Sequence, residues 1–253
     1  MGWDSWYSTV PLYLAKIGQP VGQFYGYIWD GVYQNDDFNS LPNGGYLLKD
    51  DRPTNGNTRA AIRPGDIKYK DLNGDGAVNA DDRTIIGRGM PIHIGGFTNN
   101  FRYRNLDLSV FFQWSYGNQV MNGNRINFET GNKSYLNQFK SFENRWTPDN
   151  TTSNIPRAGG QFGYVYSTRT LEDGSFLRLK TVSLGYTLPA EWLKRVKIKN
   201  LRLYAAAQNL YTWTKYTGSD PEVAIGYTAL TPGFDYSSYP RARTITFGLN
   251  LTL

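Results

Sequence analysis

The sequence predicts an all-β protein whose long antiparallel strands belong to a transmembrane barrel. Two observations carry that expectation. Apolar and polar residues alternate with period two over stretches of about 10 to 13 residues, which suits a tilted strand crossing a bilayer, whereas strands of soluble domains run to roughly 5 or 6. The connections between these stretches also alternate between short and long, the layout of outer-membrane barrels. Composition agrees: aromatic residues make up 15% of the 253 residues and Gly is frequent, a balance that favours strands and turns over helices.

Along the chain, residues 1–91 are rich in Gly, Asn, Asp and Tyr and read as one long outer-face excursion, with a short strand at Phe24–Trp29. The first spanning strand is expected at about 92–104, with Phe97, Phe101 and Tyr103 on one side and Asn99 as an exception. Gly95-Gly96 reads as a bulge that shifts the register from Ile92 and Ile94. After the tight turn Arg104-Asn105, a strand at 105–118 sets Leu106, Leu108, Val110, Phe112, Trp114 and Tyr116 against Asp107, Ser109, Gln113 and Ser115, with Phe111 the apolar exception.

A long outer loop, 119–173, follows. Leu136, Phe139, Phe142, Glu143 and Trp146 recur there at helical spacing, which predicts a helix over Tyr135–Trp146 stopped by Thr147-Pro148. The strand at 174–187 opposes Val182, Leu184 and Tyr186 to Ser183, Gly185 and Thr187. A short connection around Pro189–Lys199 leads to the strand at 199–213, where Leu201, Leu203, Ala205, Ala207, Tyr211 and Trp213 share a face. A second long outer loop, 214–241, precedes the last strand, 242–253. There Ile245, Phe247, Leu249, Leu251 and Leu253 oppose Thr244, Thr246, Gly248, Asn250 and Thr252. With the last strand running down to the periplasm, Tyr211 and Trp213 fall at the outer rim, and Tyr103 and Tyr186 at the inner rim, where amphipathic rings are favoured.

The polar face is mostly small and uncharged, unlike the Lys/Glu-rich face that a soluble sheet shows to water. No run of 18 apolar residues occurs, which excludes a transmembrane helix and leaves a barrel open. The absence of Cys excludes disulfides and thiolate metal sites. The net charge of +6 reads as a basic surface, because no Lys/Arg cluster or known motif points to nucleic acid. Met1-Gly2-Trp3-Asp4-Ser5 is no signal peptide, so the sequence is expected to start inside a longer protein.

One local motif carries chemistry. Residues 71–82, Asp-Leu-Asn-Gly-Asp-Gly-Ala-Val-Asn-Ala-Asp-Asp, match a twelve-position calcium loop. The expected ligands are Asp71, Asn73, Asp75, the Ala77 carbonyl, Asn79 and Asp82. Gly76 sits at the sharp turn, and Val78 where such loops tuck an apolar side chain inward. Asp82 stands where Glu is usual, and its shorter side chain is expected to weaken binding. Asp66–Lys70 reads as a strand, so no EF-hand helix precedes the loop. A Ca2+ ion would pin a loop; the bland reading is an Asp/Asn/Gly turn.

Catalytic constellations are missing. His93 has no Ser or Asp partner suggested by sequence, and the carboxylate pairs Asp36-Asp37, Asp50-Asp51 and Asp81-Asp82 read as solvated loop charge. No enzyme is expected. The last loop is rich in rings: Tyr216, Tyr227, Phe234, Tyr236 and Tyr239 either stack on a glycan substrate or pack the loop onto its neighbours.

Several blocks together resemble the last third of SusC/RagA proteins, which are TonB-linked outer-membrane proteins. They are Gly18–Tyr27 with Asp30–Gln34, Pro64–Gly76 with Asp82–Gly87, Leu171–Lys180 with Leu184–Pro189, and Gln208–Gly218 with Asp220-Pro221-Glu222. They lie in family order over about residues 18–253. The resemblance implies the C-terminal strands of a 22-stranded barrel in the outer membrane of Bacteroidetes, incomplete in this chain. It also implies import of oligosaccharides or peptides with energy passed by TonB, and a SusD-like surface lipoprotein as lid. The chain departs from the pattern in lacking the plug, the TonB contact segment and most strands, so TonB is expected to act only through parts outside it. It also ends in Leu253 rather than an aromatic residue. The competing reading is a secreted, soluble β-rich glycan-binding module with a calcium-braced loop; a dockerin-like piece would need a second calcium loop, and none is found.

Overall fold

The computed structural model describes residues 11–42, 44–161, 166–194, 198–222 and 230–253. These fall into two compact units, the first drawn from Met1–Met90, Gln119–Glu172 and Val223–Ser238, the second from Pro91–Asn118, Asp173–Glu222 and Tyr239–Leu253. Strands dominate and helix is nearly absent. Strands are numbered along the chain.

The first unit is a set of small sheets. Strands β1 (Tyr13–Leu14), β2 (Gln23–Gly26) and β7 (Thr84–Arg88) form one, in the order β1-β2-β7. Strand β3 (Trp29–Val32) pairs with β6 (Ile67–Tyr69), and β4 (Phe38–Ser40) with β5 (Tyr46–Leu48). Strand β10 (Gln119–Asn122) lies between β11 (Leu171–Asp173) and β14 (Phe234–Asp235). Sheets this short bury little by themselves. Side chains join them instead: Leu12, Tyr13, Phe24, Met121, Ile126, Tyr166 and Phe234 form one buried cluster. Ionic contacts add to it. Glu129 receives Arg125 at 2.9 Å and Arg169 at 3.0 Å, and Arg125 also reaches Glu172 at 3.1 Å. Buried charges are tolerated only when paired in this way.

The helix expected over Tyr135–Trp146 does not form; a short 3-10 turn at Lys140–Asn144 stands there. The Phe139 N–H donates to the Phe128 carbonyl and the Trp146 N–H to the Ile155 carbonyl, so two backbone donors that an α-helix needs are taken by distant segments. The helical spacing of Phe139 and Phe142 instead serves local packing, with Phe139 against Phe128 at a centroid distance of 5.5 Å.

The second unit is one antiparallel sheet of five long strands. These are β8 (His93–Tyr103), β9 (Leu106–Tyr116), β12 (Phe176–Thr187), β13 (Asn200–Thr214) and β15 (Thr244–Thr252), in the order β15-β13-β12-β9-β8. Its outer strands, β15 and β8, do not pair with each other, so the sheet is open. Register fixes the ends. His93 faces Tyr116, Ser115 faces Phe176, and Phe176 faces Thr214, so the long connections leave from one end. The Arg104-Asn105 turn and the connection after Thr187, which carries a short helix (Ala190–Leu193), lie at the other.

Gly95-Gly96 is not a bulge: Ile94, Gly95, Gly96 and Phe97 pair in unbroken register with Ser115, Trp114, Gln113 and Phe112. The glycines make room for rings. A Cβ on Gly95 would meet the Trp114 ring at 2.3 Å, and one on Gly96 the Phe111 ring at 2.7 Å. Ile94 therefore faces the side opposite Phe97, as simple alternation requires. The break in register lies between Leu179 and Thr181, opposite Asn209, whose φ is +53°.

Candidate functional site

The sheet brings its apolar residues to one face, strand after strand. Leu108 faces Leu184, Leu184 faces Ala205, and Ala205 faces Phe247; Leu106, Tyr186, Leu203 and Leu249 form the next row. Phe97 and Phe101 extend the same face on β8 through Phe112 and Leu108. These side chains do not meet in a dry centre. Phe247 is 79% exposed, Leu249 61% and Phe101 59%, where a soluble sheet would bury them. The opposite face is polar. Its ion pair, Arg202 with Asp107 at 2.5 Å, ties β13 to β9 across β12.

Aromatic residues gather at both ends of the apolar rows. Tyr211 and Trp213, both exposed, meet edge to face at 4.8 Å where the long connections leave. Tyr116 stacks on His93 at 5.1 Å at the same end, and the Trp114 indole N–H donates to His93 Nδ1 at 3.1 Å. His93 thus holds its neighbouring strand. Tyr103 and Trp192 are exposed at the other end.

The 71–82 loop turns at Gly74 and Gly76, both left-handed, with φ of +77° and +80°. Asp71 accepts from the N–H groups of Gly74 and Gly76, each at 2.7 Å. The side-chain oxygens of Asn73, Asp75 and Asn79 accept from the N–H groups of Asp75, Ala77 and Asp81, and the Asn79 amide donates to the Ala77 carbonyl at 3.0 Å. Val78 is tucked into a cluster with Ile67 and Tyr69. Asp82 is fully buried and accepts from the N–H groups of Leu72 and Asn79, each at 2.7 Å. Burial alone would raise its carboxyl, but the backbone donors outweigh that and hold it below the usual range. Among the described residues no three His, Cys, Asp or Glu side chains gather as a metal cluster.

The candidate rings of the last loop that are described fall in both units. Phe234 is buried in the core of the first unit, and Tyr236 packs against the same cluster with its ring over Phe128. Tyr216, in the second unit, is buried with its ring over Gly218. Packing takes up the faces that stacking on a sugar would need. Tyr239 alone among the described four is open, at 90% exposure, and Tyr227 lies outside the described residues.

The fold adds an ionic knot at the aromatic end of the sheet, buried at Arg178 and Asp220. Arg178 on β12 reaches Asp220 at 2.5 Å and Glu222 at 3.2 Å, and Glu222 also takes Arg241 at 3.1 Å. The signal was there, in a lone Arg on the polar side of a strand and the acids of Asp220-Pro221-Glu222. Only the fold shows that they pair.

The chain is 37% identical over 243 residues to TonB-dependent receptor P3 of Formosa agariphila, a match covering 94% of this chain. It is 40% identical over 194 residues to TonB-dependent receptor P26 of the same organism, covering 74% of the chain, and 31% identical over 193 residues to TonB-dependent receptor SusC of Bacteroides thetaiotaomicron, covering 75%. A solved structure of the RagAB peptide importer in its open-open state overlays on 98% of the chain with a TM-score of 0.70 and 26% identity. The chain is SusC/RagA-like. The SusC/RagA-like chain spans 23%, 20% and 18% of the lengths of those three receptors and 24% of the matched importer chain. No family model matches it.

Proposed function

We propose that this SusC/RagA-like chain supplies five neighbouring strands of an outer-membrane transport barrel, and that the whole barrel imports oligosaccharides or peptides together with a SusD-like surface lipoprotein and TonB. The exposed apolar face carries the reading. A row that includes Phe247 at 79% exposure suits contact with lipid and argues against a soluble glycan-binding module. The kinship with TonB-dependent receptors and with a peptide importer supports transport rather than catalysis. Fractionation tests it: expressed as part of the whole barrel, these strands should be recovered in outer membranes and resist alkaline carbonate. Recovery as a soluble periplasmic protein would sink the reading.

The same reading assigns the 71–82 loop a structural Ca2+. The donors fit: Asp71, Asn73, Asp75, the Ala77 carbonyl, Asn79 and Asp82 all offer oxygen, the ligand type that calcium takes. The ion would supply only charge and rigidity, pinning the loop to β6 through Val78.

A further inference from the structure

We propose that the bare outer stretch of β13 takes up a short extended peptide as an added strand. This rests on the barrel reading above and gives the imported substrate one class, peptide rather than oligosaccharide. Strand β13 outruns its neighbour: it continues to Thr214, but β15 pairs with it only as far as Gln208 opposite Thr244. Residues 211–214 therefore pair with β12 alone. Among the described residues, no further backbone partner reaches Tyr211, Thr212 or Trp213. A strand edge with free N–H and C=O groups is a template for another extended chain, and main-chain hydrogen bonds supply the affinity.

Three features suit this edge to a peptide. First, space: it opens on a cavity of about 370 Å3, within the roughly 300–1,000 Å3 of ligand sites. Thr212 and Thr214 line it from β13, and Ser219, Pro221 and Pro240 from the long connection that follows. The two prolines have no N–H to donate, so that wall does not complete the ladder itself. Second, Arg178 also lines the cavity and is 1% exposed. Asp220 and Glu222 already answer its charge, yet its Nε is buried without a hydrogen-bond acceptor. A buried N–H left unpaired is costly, and the neutral carbonyl of a peptide would satisfy it without adding an anion. Third, position: Arg178 lies opposite Gln113 and Thr212, on the polar face and at the end where the long connections leave. In the barrel reading the polar face lines the lumen, so the cavity stands near the outer mouth. Among the described lining residues the one ring, Tyr211, alternates to the apolar side beside Trp213, which leaves a sugar no stacking platform in the cavity.

The test uses the whole barrel carrying these strands, extracted in detergent from outer membranes. The probe is a short, end-capped, fluorescently labelled peptide of Thr and Ala, followed by anisotropy. One form is N-methylated at every second residue, which spares one hydrogen-bonding edge, and another at every residue, which spares neither. The parent peptide and the alternately methylated form should bind alike, and the fully methylated form at least about tenfold more weakly. Thr212→Trp on the strand and Ser219→Trp on the facing wall each fill the cavity and should cause a similar loss. Resistance to trypsin shows which variants are folded, and either one alone suffices. Equal binding of the fully methylated peptide, unchanged binding in a folded Trp variant, or displacement of the peptide by a linear maltodextrin would each overturn the assignment. A protein found outside the membrane fraction sinks the barrel reading and this proposal with it, whereas a membrane-bound protein that ignores the peptide sinks this proposal alone.

Discussion

Asp66 is the clearest case of one side chain holding a junction. It is fully buried, accepts from the Arg63 N–H at 2.8 Å and receives the Arg157 guanidinium at 2.7 Å. Burial raises its carboxyl above the usual range, and the Arg63 N–H and Arg157 only partly offset it. The folded carboxyl therefore keeps its proton to higher pH than the unfolded one. Its contribution to stability is fully present below the unfolded value of about 3.8 and declines as pH rises through the folded value. Asp66→Asn should flatten that part of the stability profile, read as the unfolding midpoint between acid and neutral pH. Asp66→Ala should lower the unfolding midpoint further, because it also leaves the Arg63 N–H without its acceptor. The proposed calcium at 71–82 is also tested at single residues. Adding a chelator should open cleavage sites within 71–82 in the parent, and Asp71→Ala should show that cleavage with calcium present. Proteolysis unchanged by either would remove the case for the ion.

Among the elements, the five long strands are governed by period two, and that makes their two faces unequal. Phe247 and Thr246 are neighbours on β15, but Phe247 belongs to the exposed apolar rows and Thr246 to the polar face opposite Ala206. Phe247→Lys should cost about 2–4 kcal/mol if it sits near the bilayer midplane, whereas Thr246→Lys should be close to neutral. Heat-modifiable gel mobility after refolding into lipid would separate the two; equal effects would refute the assignment of faces. The strands were legible because this pattern is local and repeated. The helix expected over 135–146 fails because helical spacing says nothing of where backbone donors go, and here Phe128 and Ile155 claim two of them. Gly95-Gly96 was misread because turn and bulge chemistry is one use of glycine, and room for the Trp114 and Phe111 rings is another.

For the molecule as a whole, the open sheet is the dominant fact. Strands β8 and β15 each pair on one side only, and their free edges flank a continuous apolar face. Free edges and exposed apolar surface favour sheet extension in water. Without detergent or lipid, the chain should form large assemblies; with detergent above its micelle concentration, it should run as a narrow species in light scattering. A detergent-free monomer with a cooperative melt would contradict this picture.

Strand class, the two faces and the turns of the 71–82 loop could be read from neighbouring positions, because alternation and turn chemistry are local. Tertiary structure alone decided which rings are free, which charges pair and where the sheet parts. Phe234 and Tyr216 are buried while Tyr239 is open, although all three look alike in a ring-rich loop. Arg178 finds Asp220 across 42 residues. Long-range contacts of this kind depend on how the strands align, and no local pattern encodes that alignment.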